Sequence, residues 1–225
     1  MTLEEAIAKI RPLDHNAMEI AQKRWDGIAK PLHSLGKLET LLIQIAGITG
    51  NAEVDLSRRG LIAMCADNGV VEEGVTQTGQ EVTAIVAENF LKYDTSVGVM
   101  CKQNHAEIFP VDMGMVTDTK VRTDHKIAYG TQNMTKGPAM TREQAVKGLE
   151  AGIDMVRELN DKGYRILATG EMGIGNTTTS SAVASVLLKQ PVEEMTGRGA
   201  GLTSEGLVRK INAIKKAIAL NEPDP

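Results

Sequence analysis

An α/β fold on a mainly parallel sheet flanked by helices is predicted for this 225-residue chain by three observations. Short apolar runs recur from residue 61 onward: Leu61–Ala66, Ala106–Val111 and Tyr164–Ala168 are each of strand length. Helical patterns separate them, and strands alternating with helices imply parallel neighbours, which need long crossover connections. Each run also closes on or near an acidic residue, Asp67, Asp112 and Glu171. Open sheets of this class bind ligands at the carboxyl ends of their strands, so these three ends are where chemistry is expected.

The elements follow in order. Residues 1–58 read as a small helical portion with no strand. Ala6, Ile7 and Ile10 mark one segment, and Asp14 is placed to cap a second that carries Ala17, Met18, Ala21 and Trp25 at spacings of three and four. Lys30-Pro31 breaks the pattern, and Ser34 is expected to open a third helix with Leu38, Leu41, Leu42 and Ile45. Residues 59–225 are then expected to form the α/β portion on the parallel sheet. Its clearest helix opens on Thr141-x-x-Gln144, a capping box, and is expected to bury a stripe of Ala145, Leu149, Ile153 and Val156.

At about 100 to 200 residues per domain, the length allows one large domain or one with an appendage. Twenty-nine acidic against 25 basic side chains give a formal charge of −4, too little positive field to favour a nucleic-acid or membrane partner. The longest uncharged run, Met172 to Leu188, is rich in Gly, Asn, Thr and Ser and is not a bilayer span. Met1 to Arg11 carries Glu4, Glu5, Lys9 and Arg11 and lacks a signal-peptide core, which points to the cytoplasm. Cys65 and Cys101 have no paired or metal-ligand spacing and read as buried small hydrophobes. His15, His33, His105 and His125 form no metal or triad pattern.

Thr169–Ser181 is the most informative segment, three glycines between a strand and a helix beginning near Asn176. Glycine permits positive φ and close backbone approach, and the N–H groups of a helix start hold anions. The segment reads either as a phosphate nest or as a tight packing turn. Against the nucleotide motif Gly-x-x-x-x-Gly-Lys-Thr, Asn176 stands where a triphosphatase has lysine. Glu171, read as part of this loop, would repel phosphate and is expected to face a hydroxylated or cationic part of the substrate, or else solvent. Gly197-Arg198-Gly199-Ala200-Gly201 reads as a second anion loop or a connector, ahead of a helix with Arg209 and Lys210. Asp67, Asn68, Thr76 and Gln80 read as convergent groups around a planar substrate or as an Asx-turn and helix cap.

Six segments resemble, in order, one known family: Lys30–Glu39, Ala66–Val70 with Gly74–Thr76, Asn89–Leu91, Val111–Gly114, Gly170–Thr178 and Gly197–Leu202. The family is that of the nicotinate-nucleotide:dimethylbenzimidazole phosphoribosyltransferases, which make α-ribazole phosphate for the lower ligand of cobamides. The resemblance implies a doubly wound α/β domain with a smaller helical domain from both chain ends, acting as a homodimer. It also implies transfer of 5-phosphoribosyl from nicotinate mononucleotide to a benzimidazole nitrogen, with inversion and release of nicotinate. Gly173, Gly175, Asn176, Thr177 and Thr178 would hold the phosphate, with Lys210 as its cation and Gly199 and Gly201 along the approach. Glu171 would face the ribose, and Asp67, Asn68, Thr76 and Gln80 the base. No cofactor and no metal are expected, because the pyridinium leaves as a neutral base.

Asn68 stands where many members have His, and His33 where many have Gly. The first leaves the acceptor open among dimethylbenzimidazole, benzimidazole, a purine and a phenolic compound. Members of the family are longer, and their general-base glutamate lies in a C-terminal third that this sequence does not contain; the turn residues Asn221–Pro225 after a helix pattern read as an interruption. The expectation is therefore a portion with the phosphate nest and an incomplete small domain, with little turnover alone. A nucleotide-binding subunit completed by a second chain is the alternative.

Overall fold

The computed structural model describes residues 1–224. The chain divides into two compact units, Met1–Arg58 and Arg59–Pro225.

The first unit is helical. Thr2 and Glu5 form a capping box on α1 (Leu3–Ala8), and the Asp14 carboxylate caps α2 (His15–Asp26) by accepting from the Ala17 N–H at 2.9 Å. The helix α3 (Lys37–Thr49) starts differently from expectation: Ser34 is not its cap, and Gly36 takes that place at φ 55°. Glu39 of its first turn is a buried carboxylate that accepts from the Leu35 N–H at 3.0 Å and pairs with Lys30 at 2.8 Å. The helix start is thereby tied to the Lys30-Pro31 break. Lys30 is the leading cause that holds the Glu39 carboxyl below its ordinary value.

In the second unit, β1 (Arg59–Ala66), β2 (Ala106–Gly114) and β3 (Ile166–Met172) form a parallel sheet in the order β2-β1-β3. Between β1 and β2 lie a 3-10 turn (Gly69–Glu73), α4 (Glu81–Lys92) and α5 (Ser96–Gln103). Then α6 (Arg142–Asp161) precedes β3, and α7 (Asn176–Leu188), α8 (Val192–Met195) and α9 (Ser204–Asn221) follow it. Alternation along β1 covers both faces, as period-two side chains require. Ala63 and Cys65 pack with Ala84, Ala87 and Phe90 of α4 and Cys101 of α5, whereas Ile62 packs with Met155 and Leu159 of α6. The sheet is therefore doubly wound.

Three local expectations are corrected. The third strand begins at Ile166, because Tyr164 turns into the core and meets Phe109 edge-on at 5.2 Å. Glu171 belongs to that strand and not to the glycine loop. On α6 the capping box is present, but the buried line is Ala151, Met155 and Leu159, while Leu149 and Val156 are 57% and 48% exposed. Met155 and Leu159 of that line pack with Ile62, Val111 and Tyr164, and Leu149 and Val156 are left on the outside.

The C-terminal helix α9 packs within the second unit, with Ala213, Ile214 and Ala217 against Ala182 of α7 and Val70 and Val75. Both cysteines are buried, and burial pushes the Cys65 thiol up to about 12, so it is a packing group at neutral pH. No helix among the described residues is long and apolar enough to cross a membrane.

Candidate functional site

The strand order reverses at β1: one connection leads to β2 on one side, and the next returns to β3 on the other. Loops leaving the carboxyl ends of β1 and β3 consequently diverge across a crevice, which is where ligands enter such sheets. The β1 loop is Asp67–Gln80 and the β3 loop is Gly173–Gly175.

Asn68 joins them. It is 9% exposed; its Nδ2 donates to the Ile174 carbonyl at 3.1 Å and its Oδ1 accepts from the Thr179 hydroxyl at 3.4 Å. Gln80 donates to the Asn68 carbonyl at 3.2 Å, and the Ile174 N–H donates to the hydroxyl of Thr83 at 3.0 Å. The glycines are needed for this approach. A Cβ at Gly173 would lie 2.2 Å from the Ala66 carbonyl oxygen, and Gly175 caps α7 at φ 90°. Asp67 is fully buried at the root of the loop, where its Oδ2 accepts from the Val116 N–H at 2.8 Å. Burial pushes its carboxyl upward, opposed by the hydroxyl of Thr83.

These contacts wall a cavity of about 330 Å³ lined by Val75, Thr76, Gln77, Thr78, Val82, Gly173, Ile174, Gly175, Asn176, Thr177, Arg198, Gly199, Ala200 and Leu202. The volume suits a small-molecule site. Its floor is the start of α7. The Ile174, Asn176 and Thr178 N–H groups are already bonded, to Thr83 Oγ1, Gly173 O and Gly175 O, which leaves those of Gly175 and Thr177 as the helix-start donors for an anion. Lys210 stands behind them, 1% exposed, donating to Thr177 Oγ1 at 2.8 Å and to the Gly197 carbonyl at 3.0 Å. Burial lowers its pKa. Gly199, at φ 58°, fits against the same pair, since a Cβ there would lie 2.8 Å from Thr177 Oγ1 and 3.5 Å from Lys210 Nζ.

Of the residues expected from sequence, Thr76, Gly173, Gly175, Asn176, Thr177 and Gly199 line this cavity. Asp67, Asn68, Gln80 and Lys210 lie behind its wall, and Gly201 takes part through its carbonyl, which accepts from the Gln77 side chain. Thr178 is fully buried, with its hydroxyl unpartnered. Glu171 stands on β3 opposite Met64, two positions before Gly173, with its carboxyl pushed up by partial burial. None of the lining side chains among the described residues is a carboxylate. Sequence reasoning missed Gln77, Thr83, Thr179 and Arg198. Thr83 did carry a signal, a polar residue on the buried Thr83–Ala87–Phe90 stripe of α4.

A larger cavity of about 590 Å³ lies within the helical unit, between α2, α3 and Asn51–Asp55. It has no glycine loop and no helix start aimed into it, so chemistry is assigned to the sheet cavity.

A family profile described as phosphoribosyltransferase matches residues 10–225. The nicotinate-nucleotide–dimethylbenzimidazole phosphoribosyltransferases of Ruminiclostridium cellulolyticum and Clostridium acetobutylicum are 51% and 49% identical, each over 100% of this chain and 64% of the relative. The crystal structure of CobT from Thermus thermophilus superposes with a TM-score of 0.84 at 36% identity, over 93% of this chain and 63% of that one. The chain thus spans a little under two thirds of the length of these relatives.

Proposed function

Since the chain belongs to this phosphoribosyltransferase family, we propose that its sheet cavity binds nicotinate mononucleotide for transfer of the 5-phosphoribosyl group to 5,6-dimethylbenzimidazole or a related base. The observation that carries the proposal is the convergence of the α7 start, the Gly199 loop and the buried Lys210 on one cavity. An anion there meets helix-start N–H groups and a cation held behind them. Asn176 and Thr177 add side-chain donors.

In the reaction, the C1′ bond to the pyridinium nitrogen breaks, and its electron pair leaves with nicotinate as a neutral ring. A bond from C1′ to a benzimidazole nitrogen forms on the opposite face, and the acceptor's N–H proton passes to a general base, which the family resemblance places in a segment outside this sequence. Residues of this chain anchor the phosphate and so fix where C1′ lies, which removes orientational freedom from the transfer. Glu171, at the carboxyl end of β3, is assigned to the ribose, where a carboxylate stabilises oxocarbenium charge at C1′. Thr76 with Val75, Val82 and Ile174 forms the wall assigned to the base. Asn68 and Gln80 serve that wall from behind by fixing the two loops, and Asp67 ties the root of the β1 loop to the segment after β2. The same reading includes a homodimer acting in the cytoplasm, as the family resemblance implies.

Calorimetry on this chain is expected to show nicotinate mononucleotide binding more tightly than its dephosphorylated riboside. Isotope-traced transfer, in a version as long as the relatives, is expected to give an α-ribotide from at least one base. Glu171→Gln should lower that turnover more than it lowers nucleotide affinity. No binding of nicotinate mononucleotide, or no α-ribotide from any base in the panel, would overturn the assignment.

A further inference from the structure

The two walls of the cavity mouth come from distant segments, Gly74–Gln80 and Gly197–Leu202. Each is anchored at its own root. Arg209 Nε donates to the Gly74 carbonyl at 3.2 Å, and Gln80 Nε2 donates to the Asn68 carbonyl at 3.2 Å. Across the mouth, Arg198 Nη1 donates to the Leu202 carbonyl at 2.8 Å, and the Leu202 N–H donates back to the Arg198 carbonyl at 3.1 Å. The tips are different. Thr76 bonds only locally, to the Thr78 carbonyl at 2.8 Å, and Gly201 sits at φ 99°. One side chain crosses between them: Gln77 Nε2 donates to the Gly201 carbonyl.

Building on the substrate reading above, we propose that Gln77 is a positioning residue that straps the two walls together and holds the Gly199 loop over the phosphate end of the nucleotide. Gln77 and Gly201 are both exposed, so breaking their bond leaves each group to water and removes little from folding stability. Its geometric consequence is larger. Gly199 lies between Gly197, whose carbonyl Lys210 bonds, and Gly201, and it packs on Thr177, so displacement at Gly201 moves the loop that backs the anion site. The strap therefore acts on ligand affinity in preference to fold stability.

Two variants separate the strap from other roles. Gln77→Met keeps the length without a donor. Gln77→His restores an N–H the same number of bonds from the backbone, and at about pH 8 the imidazole is neutral and adds no charge beside the phosphate. In Gln77→Met, amide hydrogen exchange over residues 197–203 should accelerate, nicotinate mononucleotide should bind about 2- to 10-fold more weakly, and the thermal midpoint should hold. Gln77→His should recover most of the affinity. Wild-type exchange and affinity in Gln77→Met, a lowered thermal midpoint in that variant, or no recovery in Gln77→His would each overturn the strap. If Lys210→Met loses affinity while Gln77→Met does not, the strap falls and the anion site stands. If the unaltered chain binds no nicotinate mononucleotide, the site assignment falls and takes the strap with it.

Discussion

Lys210 separates a functional from a structural role, because the two make opposite demands on a buried cation. Its ammonium is 1% exposed and holds two hydrogen bonds, to Thr177 Oγ1 and to the Gly197 carbonyl. Hydrogen bonds from a charged donor contribute about 1.5–3 kcal/mol each, so the pair returns about 3–6 kcal/mol. Against this stands the desolvation of one ion, also several kcal/mol, with no carboxylate bonded to it to offset the burial. The two nearly cancel. Replacing the side chain by methionine, similar in length and without charge, frees Thr177 and Gly197, both exposed enough to bond water. Lys210→Met is therefore expected to change unfolding free energy by no more than about 1 kcal/mol, and toward greater stability if it changes at all. A bound phosphate, by contrast, loses the positive charge held behind its helix-start donors, at about 1–3 kcal/mol for charges several Å apart at an effective dielectric of about 20, or roughly 5- to 150-fold in affinity. Calorimetry with nicotinate mononucleotide and its riboside, beside urea unfolding, reads both. The loss should fall on the phosphorylated compound alone. Burial lowers the Lys210 pKa, so in the unaltered chain phosphate affinity should decline with rising pH before the ordinary lysine value of 10.5 is reached. Destabilisation by several kcal/mol, or equal weakening of both ligands, would refute the reasoning.

Three further outcomes are expected. Gly173→Ala drives a Cβ to 2.2 Å from the Ala66 carbonyl oxygen, a backbone atom that cannot swing aside, so it should cost about 1–3 kcal/mol in urea unfolding and weaken nucleotide binding together. Asn68→Ala removes the bond to the Ile174 carbonyl at 3.1 Å and should cost about 1–3 kcal/mol, with faster amide exchange at residues 173–176. In the helical unit, Glu39 has a folded-state pKa held below its unfolded value by Lys30, so its contribution is present above the unfolded pKa and lost as pH falls through the folded one. Glu39→Gln should flatten that acid-side loss in a thermal-midpoint profile, and an unchanged profile would contradict the pairing.

Local signals were read well from sequence where the cause is itself local. The capping box of Thr141 and Gln144, the Asp14 cap and the helix start at Asn176 each depend on residues three or four apart. The α6 stripe differs because the helix carries apolar residues on two neighbouring lines: Ala151, Met155 and Leu159 are the buried line, and Leu149 and Val156 lie beside it, so periodicity alone does not choose between them. Ser34 precedes α3 by two positions more than a cap would, because Gly36 takes the cap position at φ 55° with no side-chain cap bond. The residues that hold the site together were the hardest to see. Asn68 and Ile174 are 106 positions apart in sequence, and only the reversal of strand order at β1 brings their loops to one crevice.

That reversal also lets Asn68 shape the cavity without lining it. Asn68 stands behind the wall, with its amide spanning from the β1 loop to Ile174 and Thr179 and its carbonyl held by Gln80. Ile174 and Thr76 are the groups that face the cavity. On the proposed assignment of this wall to the base, a change at Asn68 reaches it by moving Ile174 relative to Thr76, through the width of the slot. If this holds, Asn68→His should shift relative affinities among bases of different width more than it changes affinity for nicotinate mononucleotide. A selectivity order that stays fixed across dimethylbenzimidazole, benzimidazole and a purine, while nucleotide affinity drops, would place Asn68 on the phosphate side instead.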